Sequence, residues 1–282
     1  MQARRDALFQ LSLTRIDPRS GADPVPAVPG DAQVWRDWDG VPRAYGFTYN
    51  GDHWLRLADI GSFRFTPGGR LVEAVVADSS SAETVKDAFE RHVLPFALHA
   101  QGLELLHGSA VLARGRAAAF CGSSSAGKST LAYTLGRRGH PVLADDAVLF
   151  ETLDDRIEAR PLPFTLRISS RSVLAGGEPN ESDVPVLIAP DEGPFPLAAV
   201  FVIERLEGPG GDFEITPLAP AAAFPLLLYH AHCFSYRNQE RTRVMIERYL
   251  KLADRVPAFE LRYRPDLDRL PELLDGVERA LP

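Results

Sequence analysis

Lysine is almost missing from this 282-residue chain: of its 31 basic residues only Lys86, Lys128 and Lys251 are lysines, and the rest are arginines. Cysteine is as scarce. Cys121 and Cys233 are far apart in apolar surroundings, too few for a disulfide framework or a thiolate zinc site. Both read as small buried hydrophobes in a reducing compartment. Basic charge is not in excess either. The net charge of -7 excludes the positive field that bulk DNA or RNA binding needs, so no nucleic-acid partner is expected. No apolar run approaches the ~20 residues of a membrane span. Residues 1–18 mix Arg4, Arg5, Asp6 and Arg15 with short apolar pieces, not a signal-peptide core. The expectation is a cytoplasmic protein with no membrane partner. What is present in ordinary measure, 45% hydrophobic and 24% charged residues, fills one large domain or two modest ones.

Turn signals divide the chain. Pro18, Pro24, Pro26 and Pro29 with Gly21 and Gly30 mark an extended linker. Short aromatic and β-branched runs follow from residue 34 to 77, separated by Asp39-Gly40, Asn50-Gly51 and Gly68-Gly69. Asn50-Gly51 lies between Phe47-Thr48-Tyr49 and His53-Trp54-Leu55, which predicts a hairpin closed by a type I′ turn. Ser80 with Glu83 reads as a capping box. Val85, Phe89, Val93 and Phe96 then predict a helix from about 82 toward 100, interrupted near Pro95. Residues 1–100 are thus expected to be a small antiparallel β-rich subdomain ending in a helix, and 101–282 a second domain. The Gly-, Pro- and acid-rich stretch 176–196 reads as a loop, and 242–281 as mostly helical with a strand near Phe259.

In the second half, 103–107, 109–112 and 117–121 read as strands. The last runs into Gly122-Ser123-Ser124-Ser125-Ala126-Gly127-Lys128-Ser129, followed by Thr130. This matches G-x-x-x-x-G-K-[ST]. The glycines let backbone N–H groups converge on phosphate oxygens, and the helix N-terminus adds partial positive charge. Lys128 would reach the β- and γ-phosphates, and the Ser129 hydroxyl would ligate Mg²⁺. With lysine this rare, composition alone gives only about 0.002 chance matches. A helix to about residue 138 and a strand over 141–144 complete a βαβ-like unit, with the loop where α/β sheets place ligands. Asp145-Asp146 closes that strand. ATP-Mg chemistry needs one carboxylate near the metal and one near the attacking hydroxyl, and neighbouring strand residues point in opposite directions.

His107-Gly108-Ser109-Ala110-Val111, the loop from Gly122 to Thr130, and Gly139-His140 with Leu143-Ala144-Asp145-Asp146 resemble, in order and spacing, a known domain. It is the C-terminal domain of the bacterial HPr serine kinase/phosphorylase family and its relatives. The resemblance covers about residues 103–150. It implies an α/β (α+β) fold: a P-loop mixed-sheet core of the HPr kinase and phosphoenolpyruvate carboxykinase-like type, here behind a β-rich N-terminal subdomain. Carried over by position, Asp145 matches the acid that takes the acceptor's proton, and Asp146 a second acid of the metal and phosphate environment. Lys128 and Ser129 match the phosphate and magnesium contacts, and His107 a histidine beside them. ATP and Mg²⁺ are the implied cofactors. The chain departs from the pattern at Ser125, where the family has Gly. It also lacks the Arg-Gly segment tied to phosphorylase activity, so neither the reverse reaction nor HPr as substrate is implied. The arrangement is nearer to HPr-kinase-related proteins and to lasso-peptide precursor kinases, which phosphorylate a serine of a short peptide. The implied activity is an ATP-dependent kinase acting on a hydroxyl-bearing peptide or small protein. A free amino acid as acceptor, or a nucleotide-binding regulatory module without transfer, are the alternatives. The N-terminal subdomain would recognise substrate or mediate homo-oligomer assembly.

Other arginines and histidines are weaker candidates. Arg237, Arg241, Arg243 and Arg248 with Glu240 and Glu247 read as an ion-paired helix face, with Arg237 or Arg241 as candidates for ATP phosphates. Arg160, Arg167 and Arg171 are similar. Tyr229-His230-Ala231-His232-Cys233 reads as alternating core and surface.

Overall fold

Asn50 and Gly51 both take positive φ, 51° and 87°, the left-handed pair that a type I′ turn requires. In the computed structural model they join β3 (Pro42–Tyr49) to β4 (Asp52–Leu57), paired from Tyr49↔Asp52 to Ala44↔Leu57. The hairpin sits in a six-stranded sheet ordered β1-β6-β5-β4-β3-β2. Here β1 is Gln10–Ile16, β2 Gln33–Arg36, β5 Gly61–Phe65 and β6 Leu71–Ala77. Strands β2 to β6 form the antiparallel meander that the turn signals predict. β1 departs from it by pairing parallel to β6. A parallel pair cannot be closed by a tight turn, so it leaves no turn signal to read.

The structure describes residues 10–16, 25–36, 39–77, 80–162, 164, 186–189, 193–208, 210, 212–234, 238–266 and 268–281. Most of the predicted linker and of the 176–196 loop, with Arg167, Arg171 and Arg237, lies outside them.

Ser81, one residue later than the predicted cap, begins α1 (Ala82–Ala88): its hydroxyl accepts the Thr84 N–H at 3.0 Å. The helical run is broken by a wide π turn at Phe89–Val93 before α2 (Leu94–Ala100). Pro95 accounts for the break. It has no N–H to return to the previous turn, and the wider turn accommodates that loss.

The chain divides into two compact units, Met1–Leu103 with Cys233–Thr242, and Glu104–His232 with Arg243–Pro282. The second holds a mixed nine-stranded sheet whose main path is β10-β8-β9-β13-β12-β11-β7, with β15 on β13 and β14 on β15. Its strands are β7 (Glu104–Leu106), β8 (Gly108–Ala113), β9 (Arg116–Gly122), β10 (Val142–Ala144), β11 (Val148–Thr152), β12 (Ile157–Arg160), β13 (Phe195–Arg205), β14 (Phe213–Leu218) and β15 (Ala258–Tyr263). Its helices are α3 (Lys128–Arg137), α4 (Pro220–Tyr229) and α6 (Leu270–Ala280). α5 (Gln239–Arg255) begins in the first unit's segment. The fold is mixed α/β.

β9 reads as small apolar residues because it is covered on both faces; Ala117 to Cys121 are all at most 1% exposed. Phe120 stacks on Phe201, and Phe201 on Phe259, at 5.3 and 5.1 Å between ring centres. Leu131 and Leu135 of α3, and Leu273, Leu274 and Val277 of α6, belong to the same core. β9, β13 and β15 run parallel, so their C-terminal ends, Gly122, Arg205 and Tyr263, meet at one sheet edge. β10 and β9 are both antiparallel to β8, which lies between them. The β9–α3–β10 crossover is therefore a βαβ unit with one strand inserted. Among the described residues no helix is long and apolar enough to cross a membrane.

Candidate functional site

The loop after β9 is built so that only certain residues fit. Gly127 has φ 100°, and a Cβ there would stand 2.2 Å from the Tyr263 hydroxyl. Conformation and contact both demand glycine. Ser125 also has positive φ, 64°, so the loop makes its left-handed bend without the expected glycine. Two carbonyls of the loop are tied from outside: Tyr263 donates its hydroxyl to Ala126 O at 2.8 Å, and Arg205 Nη1 donates to Ser125 O at 3.2 Å. Arg205 ends β13, the parallel neighbour of β9, and Tyr263 ends β15, the next parallel strand beyond it. No side chain caps α3, whose N-cap is Gly127; its first-turn N–H groups face the loop with the helix's partial positive charge. Ser123 and Ser124 are exposed, Ala126 is buried, and Thr130 is half-buried in the first turn of α3.

Lys128 is buried, with Nζ donating to Gly122 O at 3.0 Å and Ser123 O at 2.9 Å. Burial lowers its pKa, opposed by the nearby Cys121, Asp146 and Asp145. Cys121 lies fully buried at the end of β9, and its thiol is pushed up to about 12 by that burial.

Asp145 follows β10 and is buried. Its Oδ1 accepts the Ser109 hydroxyl from β8 at 2.6 Å and the Ser129 hydroxyl from α3 at 2.8 Å. The Asp146 backbone N–H also donates to this carboxylate. Burial raises the Asp145 pKa, and the two hydroxyl bonds work against that rise.

Asp146 has φ 66°. Its carbonyl oxygen accepts from two imidazoles, His107 Nδ1 at 3.2 Å and His232 Nε2 at 3.4 Å. The two rings meet edge-on, 5.6 Å apart. A carbonyl only accepts, so these two nitrogens are the ones carrying protons. His107 is pushed down to about 3, by burial first and then by the Lys128 charge. His230 is pushed down to about 4 by burial and Lys128. Both imidazoles are neutral at pH 7.

These residues fit a nucleotide phosphate and a hard divalent cation. The loop offers a glycine bend, a helix N-terminus and a buried ammonium. Ser129 and Asp145 bring two hard oxygen donors into contact, the type of donor Mg²⁺ takes. Among the described residues no group of three or more His, Cys, Asp and Glu side chains is arranged to hold a metal by itself.

The structure brings together His107, the 122–130 loop, Asp145 and Asp146; it does not bring Arg160 or Arg241 to them. It pairs Ser129 with Asp145, the acid that the sequence reading set beside the acceptor. Sequence reasoning gave no role to Ser109, Arg205 or Tyr263, and read His230 and His232 as alternating core and surface, whereas His232 reaches the Asp146 carbonyl. The histidines carried one usable signal, a two-residue spacing that puts both on one side of an extended segment. The helix arginines are occupied elsewhere. Arg241 donates to the carbonyls of His99 and Leu103, Arg243 pairs with Glu247, and Arg248 with the buried Glu104. Arg160 pairs with Glu151.

No family model matches the chain, and no curated protein does. Among solved structures, the HPr(Ser) kinase/phosphatase from Coxiella burnetii is similar over 62% of this chain and 88% of that one, at 11% identity and a TM-score of 0.32.

Proposed function

We propose that this protein is an ATP-dependent phosphotransferase that moves the γ-phosphate to a serine-type hydroxyl of a peptide or small protein. The observation that carries the reading is the hydrogen bond from Ser129, the last residue of the phosphate-loop motif, to the buried Asp145. It joins the loop to a carboxylate from a different strand, as Mg-nucleotide chemistry requires and a mere helix-capping turn does not. The acceptor class follows from the resemblance of residues 103–150.

In this reading the loop N–H groups and Lys128 hold the phosphates and stabilise charge on them. Ser129 and Asp145 would hold Mg²⁺, which when bound neutralises charge on the β- and γ-phosphates. Asp146 accepts the proton of the acceptor hydroxyl. The two acids therefore exchange the roles that the sequence suggested. The contact of Asp145 with Ser129 supports that exchange, since a carboxylate against the metal-binding hydroxyl is poorly placed to meet the acceptor.

The test is label transfer from γ-labelled ATP to proteins of a cell lysate or to serine peptides. Asp146→Asn should abolish transfer while Mg-ATP still binds. An Asp146→Asn protein that phosphorylates normally would overturn the assignment.

A further inference from the structure

His232 is reached from a distant part of the chain, yet its position is fixed by backbone bonds. The segment after α4 lies antiparallel along the edge strand β7. Leu106 bridges Ala231, the His107 N–H donates to His230 O at 2.7 Å, and the His232 N–H donates to Leu105 O at 3.0 Å. This short added strand brings His232 Nε2 to the carbonyl that His107 also holds.

That carbonyl belongs to a residue in an unfavourable conformation. Asp146 at φ 66° occupies the left-handed region, which costs a non-glycine residue free energy unless its surroundings hold it. Here both of its backbone polar groups are engaged: its N–H by the Asp145 carboxylate, its C=O by the two imidazoles. The same turn decides which way the Asp146 side chain leaves the backbone.

We propose that His232 is a positioning residue for phosphoryl transfer: with His107 it clamps the Asp146 carbonyl, holds the left-handed turn, and so aims the Asp146 carboxylate at the acceptor hydroxyl. The proposal rests on the kinase reading above for its catalytic half and on the described hydrogen bonds for its structural half. Holding a base within a fraction of an ångström of its working position is worth large rate factors, so a loosened turn costs turnover before it costs nucleotide affinity.

The test uses the full chain, with His232→Phe to keep ring volume but remove the donor, and His232→Gln to return an N–H at similar reach. Amide hydrogen exchange at Asp146 and Ala147, read by NMR on the protein alone, should quicken about fivefold or more in His232→Phe and recover in His232→Gln. In parallel, labelled phosphate release from ATP to water measures transfer, and a fluorescent ATP analogue with Mg²⁺ measures binding. Turnover should fall about tenfold in His232→Phe with KM for ATP held within about twofold, and His232→Gln should restore it. Unchanged exchange at Asp146 and Ala147 overturns the proposal. So does a loss of ATP affinity as large as the loss of turnover, because that would place His232 in general support of the fold. Wild-type protein that binds Mg-ATP but releases no phosphate to water or serine peptides would defeat the kinase reading instead; the exchange comparison would still decide whether His232 holds the turn.

Discussion

Tyr263 stands where a side chain on Gly127 would have to go: its hydroxyl would lie 2.2 Å from a Cβ at that glycine, and it donates to the adjacent Ala126 carbonyl. Gly127→Ala therefore meets both a collision and a positive φ. We expect it to destabilise the protein by about 2–3 kcal/mol and to abolish Mg-ATP binding. Adding Tyr263→Phe removes the colliding oxygen, so the double variant should be more stable than Gly127→Ala alone in urea unfolding. A double variant less stable than the single would contradict the collision.

Ser125 makes the opposite prediction. Its left-handed φ of 64° strains a non-glycine residue, but glycine there would loosen the unfolded chain. The two effects nearly cancel. Ser125→Gly should shift stability by no more than about 0.5 kcal/mol either way, with ATP turnover retained.

Lys128→Met keeps much of the side chain's bulk and removes the charge. Loss of a charge stabiliser in a dry site should lower phosphate release from ATP by about a hundredfold or more. Turnover within about threefold of wild type would remove Lys128 from the chemistry.

Asp145→Asn tests the metal side. An amide is a poorer ligand than a carboxylate, so the Mg²⁺ concentration for half-maximal turnover should rise at least about tenfold. Magnesium titrations on the two aspartate variants separate the roles: Asp146→Asn should leave the affinity of the protein for Mg-ATP nearly unchanged.

The neutral histidine gives a pH dependence with a definite sign. His107 is held near 3 against an ordinary 6.5, so the unfolded chain takes up its proton first as pH falls. Its contribution to stability is fully present above pH 6.5 and is lost as the pH drops through that window toward 3. By pH 5 the loss amounts to about 2 kcal/mol. Asp145, raised by burial, acts with the opposite sign and favours the folded state at low pH. Urea midpoints at pH 7 and pH 5 should fall more for wild type than for His107→Gln, which has no such group to titrate.

Local chemistry was legible in the sequence and long-range convergence was not. Asn50-Gly51 announced its hairpin because positive φ at two successive residues selects those types. The strand, loop and helix around Lys128 were readable for the same reason, since each part is fixed by its neighbours. β1 beside β6 is a parallel pair that no turn encodes. His232 and Arg205 reach the site only because the sheet gathers β13 beside β9 and lays the segment after α4 along β7. A spacing cannot show that two histidines from opposite parts of a domain share one carbonyl. The proposed exchange of roles between the two acids rests on a single contact, Ser129 to Asp145, that only the folded chain displays.

The bonds from Lys128 to the carbonyls of Gly122 and Ser123 carry a consequence for affinity. A lysine on an open surface must shed its hydration shell when a phosphate arrives. Here the ammonium is dehydrated as the chain folds, so that penalty is charged to the stability of the protein and not to the ligand. A phosphate reaching this loop has only to outcompete two peptide oxygens for a cation that is already dry.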